Sequence, residues 1–311
     1  MKLIRGVPDR RLDIKKSVVT IGNFDGIHLG HQEIFNELLE TSRSLDGKSV
    51  VISFHPHPLK ILSPEKCPPL INTIREKIEL ISRMGIDYLV CIRFSKEFSE
   101  IEPEKFIKEI LIDRIGMKKL LVGYDFGFGR GRSGSIDFIK ENSKKLGYEV
   151  KIIEPLKLGD VIVSSTLIRN LVLEGKVERA KTYLGRPFSI RGRVVEGAKR
   201  GRKLNFPTAN ISTFNKIIPP NGVYIAETLI DGVKYPSLVN VGTRPTFQGR
   251  GTLVESYLLD FNRDIYGKFI RVFFLHYIRE EMKFKNEGEL KARMHEDLKE
   301  AKNFFNIKMT E

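Results

Sequence analysis

The sequence predicts two folded regions in succession: an α/β doubly wound parallel sheet over residues 1–185, then a small antiparallel β-barrel with a C-terminal helix over residues 186–311. Three observations predict it. From residue 17 to 184, short β-branched runs alternate with amphipathic segments, the pattern of a parallel sheet covered by helices. After Leu184-Gly185-Arg186-Pro187, strand-like runs follow one another with little helix between them. And 311 residues are long for one core but comfortable for two.

The first region is organised around Gly22-Asn23-Phe24-Asp25-Gly26-Ile27-His28-Leu29-Gly30-His31. Before it, Ser17 to Ile21 reads as a buried parallel strand. After it, Ile34, Phe35, Leu38 and Leu39 give one apolar face at helical spacing over Gln32 to Ser44. A strand ending in a Gly-bearing turn that opens a helix suits phosphate, because the helix start offers free amides and a favourable dipole. His28 and His31, three residues apart, sit together at that entrance.

Ser49 to Phe54 is a second strand, stopped by the prolines of His55-Pro56-His57-Pro58, so both histidines belong to a loop at a strand's carboxyl end, where open α/β sheets bind ligands. Thr73-Ile74-Arg75-Glu76 reads as a capping box opening a helix to about Met84. Asp87 to Ile92 is a third strand, Glu102 to Ile115 a helix and Lys119 to Val122 a fourth strand. That strand ends in Gly123-Tyr124-Asp125-Phe126-Gly127-Phe128-Gly129-Arg130-Gly131-Arg132-Ser133-Gly134. Aromatics and arginines among glycines suit a flat ring and a phosphate, and a plain surface loop is the alternative. Tyr148 to Ile153 is a fifth strand, and Ser164-Ser165-Thr166-Leu167-Ile168-Arg169 opens a helix with hydroxyls that can act as caps.

In the second region the strand candidates are Phe188 to Glu196, Gly222 to Ile230, Lys234 to Val241, Leu253 to Phe261 and Phe269 to Ile278, with Asp231-Gly232 as a tight hairpin turn. Leu290, Met294, Leu298, Ala301 and Phe305 form one stripe of a closing helix that should pack on the barrel.

Composition narrows the function. No apolar run has the length of a membrane span, and Met1 to Arg11 lacks the apolar core of a signal peptide, so the expectation is a cytoplasmic protein without membrane partners. Two cysteines make neither a disulfide framework nor a zinc cluster. Four of the six histidines fall in two close pairs, which raises a metal site. Neither pair has the His-Glu-x-x-His form and no cysteine is near, so glycine between His28 and His31 points to phosphate instead. The net charge of +14 fits polyphosphate ligands, nucleic acid or a solvated surface alike.

Gly-x-Phe-Asp-Gly-x-His-x-Gly-His resembles the signature of nucleotidyltransferases with a His-x-Gly-His motif, and its full form resembles the prokaryotic bifunctional FAD synthetases. Gly123 to Gly127 with Phe128, and Ser164 to Arg169, match further motifs of the adenylyltransferase module. Gly201-Arg202-Lys203-Leu204-Asn205-Phe206-Pro207-Thr208-Ala209-Asn210 resembles the riboflavin kinase signature. Segments at 220–224, 240–247 and 254–261 match the same module, so the ordered set covers roughly residues 15 to 305. Departures are Gly127 where the family usually has Arg, Asn205 where it has Gly, and Tyr257 where it has His.

The resemblance implies a nucleotidyltransferase-like first domain that adenylylates FMN and a second domain that phosphorylates riboflavin, with ATP as co-substrate at both and Mg2+ as cofactor. It places Gly22, Asn23, Phe24, Asp25, Gly30, Ser165, Thr166 and Arg169 on the nucleotide in the first domain, and Gly201, Thr208 and Asn210 in the second. His28 and His31 are catalytic, donating N–H to phosphate oxygens. His57, Asp125, Phe126 and Phe128 hold flavin, Thr208 and Asn210 hold the metal, and Glu255 is the catalytic carboxylate. Partners are then riboflavin, FMN and ATP, without nucleic acid; the sequence carries no signal for an oligomeric state. The rivals are a nucleic-acid-binding barrel, suggested by the basic span from Arg186 to Lys216, and a single-function nucleotidyltransferase. That span lacks the aromatic ladder on which bases stack.

Overall fold

The computed structural model describes residues 1–197, 206–213, 216–246 and 249–307, with the backbone alone at 244–246 and 249–251. The chain divides into two compact units, Met1–Ser165 and Thr166–Glu311.

The first unit is a six-stranded parallel sheet. Its strands are β1 (Lys2–Arg5), β2 (Ser17–Ile21), β3 (Lys48–His55), β4 (Tyr88–Arg93), β5 (Met117–Gly123) and β6 (Glu149–Ile153), in the order β1-β4-β3-β2-β5-β6. The chain runs outward from β2 to β3 and β4, then returns to place β5 on the other side of β2. The topological switch point therefore lies beside the carboxyl end of β2, where the Gly22–His31 stretch begins.

Side chains alternate between the two faces, as the pleat requires. Val19, Ile21, Val50, Ile52, Leu120 and Val122 join one buried cluster with Phe106, Ile107, Leu111 and Ile139. Val18, Val51, Leu89 and Leu121 join the opposite one with Phe35, Leu38 and Ile81. Each large apolar side chain so covered stabilises the fold by roughly 1.5–3 kcal/mol. The helices Leu29–Ser44 and Ile74–Arg83 cover the second face; a turn at Pro103–Lys105 leads into a π-helix, Phe106–Arg114, which covers the first with the helix Ile136–Leu146. The capping box is present: Thr73 Oγ1 accepts from Glu76 N at 3.3 Å, and Glu76 Oε2 accepts from Thr73 N at 2.8 Å.

Besides the helix Ile136–Leu146 and the short helices Pro58–Leu62 and Lys96–Ser99, an edge strand and a small hairpin escape the sequence reading. The strand Lys2–Arg5 pairs only with β4 at the sheet edge, and the small hairpin β7 (Lys157–Leu158) with β8 (Val161–Ile162) is too short to show a period.

In the second unit six antiparallel strands close into a barrel in the order β10-β13-β12-β11-β14-β9. They are β9 (Ser189–Val195), β10 (Thr208–Thr213), β11 (Gly222–Ile230), β12 (Val233–Thr246), β13 (Gly249–Leu258) and β14 (Phe269–Arg279). β10 was hidden in the sequence because Pro207 stands at its start. The helix Val177–Leu184 belongs with this unit, where Glu178 Oε1 accepts from Tyr277 N at 3.0 Å. The C-terminal helix Glu287–Phe304 packs on the barrel through Leu298, Ala301 and Phe305, against Val223, Ile225 and Leu238. Leu290 and Met294 stand outside that cluster. Beside it, Asp297, 2% exposed, takes a bidentate pair of hydrogen bonds from Arg279 at 2.9 and 2.7 Å.

Candidate functional sites

In the first unit the candidate site is the turn between β2 and the helix Leu29–Ser44. Its backbone is unusual: Phe24 and Ile27 have φ of 47° and 43°, and Gly26 has 91°. Left-handed backbone at two bulky residues persists only where the surroundings hold it. The Asp25 carboxylate does much of this. It is 5% exposed and accepts from Ile71 N at 3.0 and 3.1 Å and Asn72 N at 3.1 Å, while the Asp25 carbonyl accepts from Ser165 Oγ at 2.8 Å. Asp25 is thus a brace for the loop, with its oxygens turned to backbone.

His28 is the N-cap of the helix. Its Nδ1 accepts from His31 N at 3.3 Å, so a neutral ring carries its proton on Nε2. The His28 and His31 rings stack with centroids 3.6 Å apart and 20° between planes. Phe24 packs edge-on against His31 and Phe35. The glycines serve the loop's own rings. A Cβ on Gly22 would stand 2.9 Å from Phe24 Cζ, and one on Gly30 would stand 3.3 Å from the His28 ring.

Under the loop lies Lys77, which the sequence analysis does not single out. It is 7% exposed, donates to the Asn23 carbonyl, and reaches Ser53 Oγ at 3.3 Å. Its signal was present: Ile74, Lys77, Ile78 and Ile81 form an i, i+3, i+4, i+7 stripe, so the lysine occupies an inward position. Burial holds its ammonium below the usual lysine range, against the partial compensation of Asp25.

His57 caps the short helix Pro58–Leu62 through Nδ1, which accepts from Leu59 N at 3.2 Å. Contrary to the expectation that no cysteine is near, Cys67 Sγ lies 3.9 Å from that nitrogen, because the turn after Pro58 folds back. In the Gly123–Gly134 stretch, Asp125 is exposed. Phe126 and Phe128 stack at 5.5 Å and pack partly against the sheet core. The Arg132 guanidinium lies over Gly127, 3.3 Å from where a Cβ would stand, and donates to the Asp125 carbonyl. Ser165 opens the helix Ser165–Leu173, on which Thr166 is exposed and Arg169 buried.

In the second unit β10 and β13 bring three oxygen-bearing side chains together. Asn210 lies directly opposite Glu255, and Thr208 shares its face two residues along. Thr208 Oγ1 stands 3.4 Å from Glu255 Oε1. Beside them a cavity of about 490 Å³ is lined by Thr208, Ala209, Leu258 and the 261–266 segment, including Arg263 and Tyr266. That volume suits a nucleotide-sized ligand. Arg263 lies over the Phe261 ring at 4.9 Å. This segment was missed because the sequence reading ended its strand at Phe261. Gly201 and Asn205 lie outside the described residues. Tyr257 packs on Phe206, and burial raises its hydroxyl pKa.

A family model described as FAD synthetase matches residues 11–167, and one described as riboflavin kinase matches residues 184–305. A "Bifunctional riboflavin kinase/FMN adenylyltransferase" of Buchnera aphidicola subsp. Schizaphis graminum is 40% identical over 311 residues, covering 99% of this chain and 100% of the relative. The chain belongs to the bifunctional riboflavin kinase/FMN adenylyltransferase family. The Escherichia coli K12 member is 37% identical over 309 residues, with 99% of each chain covered. A crystal structure described as a macrolide-efflux protein from Streptococcus pneumoniae shares the fold at a TM-score of 0.87 and 31% identity, covering 97% of this chain and 99% of that one. Among the described residues no helix is long and apolar enough to cross a membrane.

Seen as a member of this family, the chain brings Asn23, Phe24, Asp25, His28, Gly30 and His31 into one loop, and Thr208, Asn210 and Glu255 onto one face of the barrel wall. Each cluster lies in its own unit.

Proposed function

We propose that the chain makes flavin cofactors in two ATP-dependent steps: the barrel region phosphorylates riboflavin to FMN, and the sheet region adenylylates FMN to FAD with release of pyrophosphate. The observation that carries this reading is the pairing of two separate oxygen- and nitrogen-rich clusters with two family matches on one chain.

For adenylyl transfer, an FMN phosphate oxygen forms a bond to the α-phosphorus of ATP while the bond from that phosphorus to the β-bridging oxygen breaks. Charge grows on the equatorial and bridging oxygens. The Nε2–H of His28 and the stacked ring of His31 are the donors proposed for that charge, at a helix entrance that favours anions. Gly22, Asn23, Phe24, Asp25 and Gly30 shape the loop. Ser165, Thr166 and Arg169 supply further donors to the phosphates, and His57, Asp125, Phe126 and Phe128 are assigned to flavin; the family resemblance supports both assignments.

For the kinase step, Glu255 accepts the proton of the ribityl hydroxyl as its oxygen attacks the γ-phosphorus, and ADP leaves. The 490 Å³ cavity beside Thr208 is the proposed ATP pocket. The Thr208 hydroxyl and the Asn210 carboxamide, on one face, are hard oxygen donors that fit Mg2+. When bound, it would neutralise charge on the phosphates.

A nucleic-acid role is not favoured. In the basic span, Arg191 lies over the Phe269 ring, Arg193 donates to Gly267 O at 3.0 Å, and Lys216 donates to Ser189 O. Cytoplasmic residence and soluble small-molecule partners accord with the proposed chemistry. The test is product analysis with riboflavin, ATP and Mg2+: FMN should appear first and FAD after it, and unchanged riboflavin together with unchanged FMN would refute the reading.

A further inference from the structure

The loop after β2 rests on a buried cation whose hydrogen-bonding partners are neutral. Lys77 Nζ donates to the Asn23 carbonyl and lies 3.3 Å from Ser53 Oγ, and Ser53 Oγ donates to that same carbonyl at 3.3 Å. The adjacent Glu76 is engaged in the capping box with Thr73. The charged and titratable groups facing Lys77 are Asp25, Cys91 and His55. Asp25 already accepts from the amides of Ile71 and Asn72. Burying an ammonium on neutral acceptors is costly, so a lysine kept there calls for a reason beyond packing.

The geometry supplies one. The Asn23–Phe24 peptide is trans, so a carbonyl drawn inward to Lys77 turns the Phe24 N–H the opposite way, out of the core. Phe24 holds a φ of 47°, and such a peptide needs an anchor to keep its orientation. A positive charge directly behind an outward-facing amide also favours an anion in front of it.

We infer that Lys77 is a positioning residue of adenylyl transfer: it pins the Asn23–Phe24 peptide with its N–H toward the phosphates and holds a positive charge behind that loop. The inference rests on reading the loop as the adenylyl-transfer site. Ser53 is the second anchor of the same carbonyl.

Steady-state kinetics on the full chain test it, with Lys77→Met removing the ammonium at similar volume. Loss of a preorganised donor lowers kcat by about 100-fold, so FAD formation from FMN should fall by that much while the KM for FMN moves less than about threefold. FMN formation from riboflavin by the same preparation should stay within about twofold, which reports that the barrel is intact. A kcat within about threefold of wild type, an effect on KM alone, or equal loss of both activities would overturn the role. If Lys77→Met does not yield folded protein, Ser53→Ala decides: about a fivefold fall in kcat at unchanged KM supports the role, and an unchanged kcat overturns it. A wild-type chain that forms FMN but adenylylates none would instead overturn the reading of the loop itself, and the inference with it.

Discussion

The two candidate sites are held in shape by opposite means. The loop after β2 has almost no regular structure, and its form comes from buried polar groups beneath it: Asp25 on the amides of Ile71 and Asn72, and Lys77 and Ser53 on the Asn23 carbonyl. The barrel site needs no such scaffolding, because strand register alone sets Asn210 opposite Glu255 and Thr208 beside them. A site built on register tolerates change in its surroundings, since ladder hydrogen bonds fix it. A site built on a bent loop depends on every anchor.

The sharpest way to separate the two is to disable one at a time. Glu255→Gln should lower FMN formation by about 1,000-fold or more, the upper range for loss of a general base, while conversion of added FMN to FAD continues. His31→Ala should do the reverse, lowering FAD formation about 100-fold with FMN formation retained. Chromatography of both products from each variant checks the pair, and loss of both activities from either folded variant would break the two-site comparison.

The next effect is on stability. Asp297→Ala leaves Arg279 beneath the C-terminal helix without its buried partner, and should cost about 3 to 5 kcal/mol. Denaturant unfolding should show the loss in the barrel, with FAD formation surviving at denaturant concentrations that abolish FMN formation. Thr73→Ala removes the capping box that starts the helix carrying Lys77, at about 1 kcal/mol. If a loop site depends on its anchors, this small change should still lower adenylyl transfer measurably, and an unchanged kcat would mean that the two sites do not differ in this way.

The smallest effect is one of pH. Burial, then the charges of Lys77 and Lys60, hold His55 below the usual histidine range. Between that lowered value and the ordinary 6.5, the unfolded chain binds a proton that the native chain does not. Stability is therefore lost as pH falls through 6.5, and the loss levels off below the folded value. From about pH 7.5 to about pH 5.5 the melting temperature should drop slightly more for wild type than for His55→Asn. An equal drop would remove His55 from the account.

Sequence periodicity made the central strands and the covering helices legible, because buried parallel strands such as Ser17–Ile21 are apolar on both faces. It missed Lys2–Arg5, whose charged ends suit an edge, and Thr208–Thr213, which begins behind a proline. Spacing brought out the paired histidines, while the acidic and hydroxyl residues of the two candidate sites came from the family resemblance. What neither could give was which side chains hold others in place. Asp25, expected on the nucleotide, also braces the loop, and Lys77, which drew no expectation, is buried. The stripe of its helix marked Lys77 as inward, but the partners of both residues lie on segments some fifty residues away, which local pattern does not encode.

The ring of Phe24 fills the space that any side chain at position 22 would need. Positions 22 and 24 therefore cannot drift independently: a methyl group at 22 demands a smaller neighbour at 24, and shrinking Phe24 alone leaves a void against Phe35 and His31. Anyone redesigning this loop should change the two together, treating a glycine and an aromatic as a single interlocking piece.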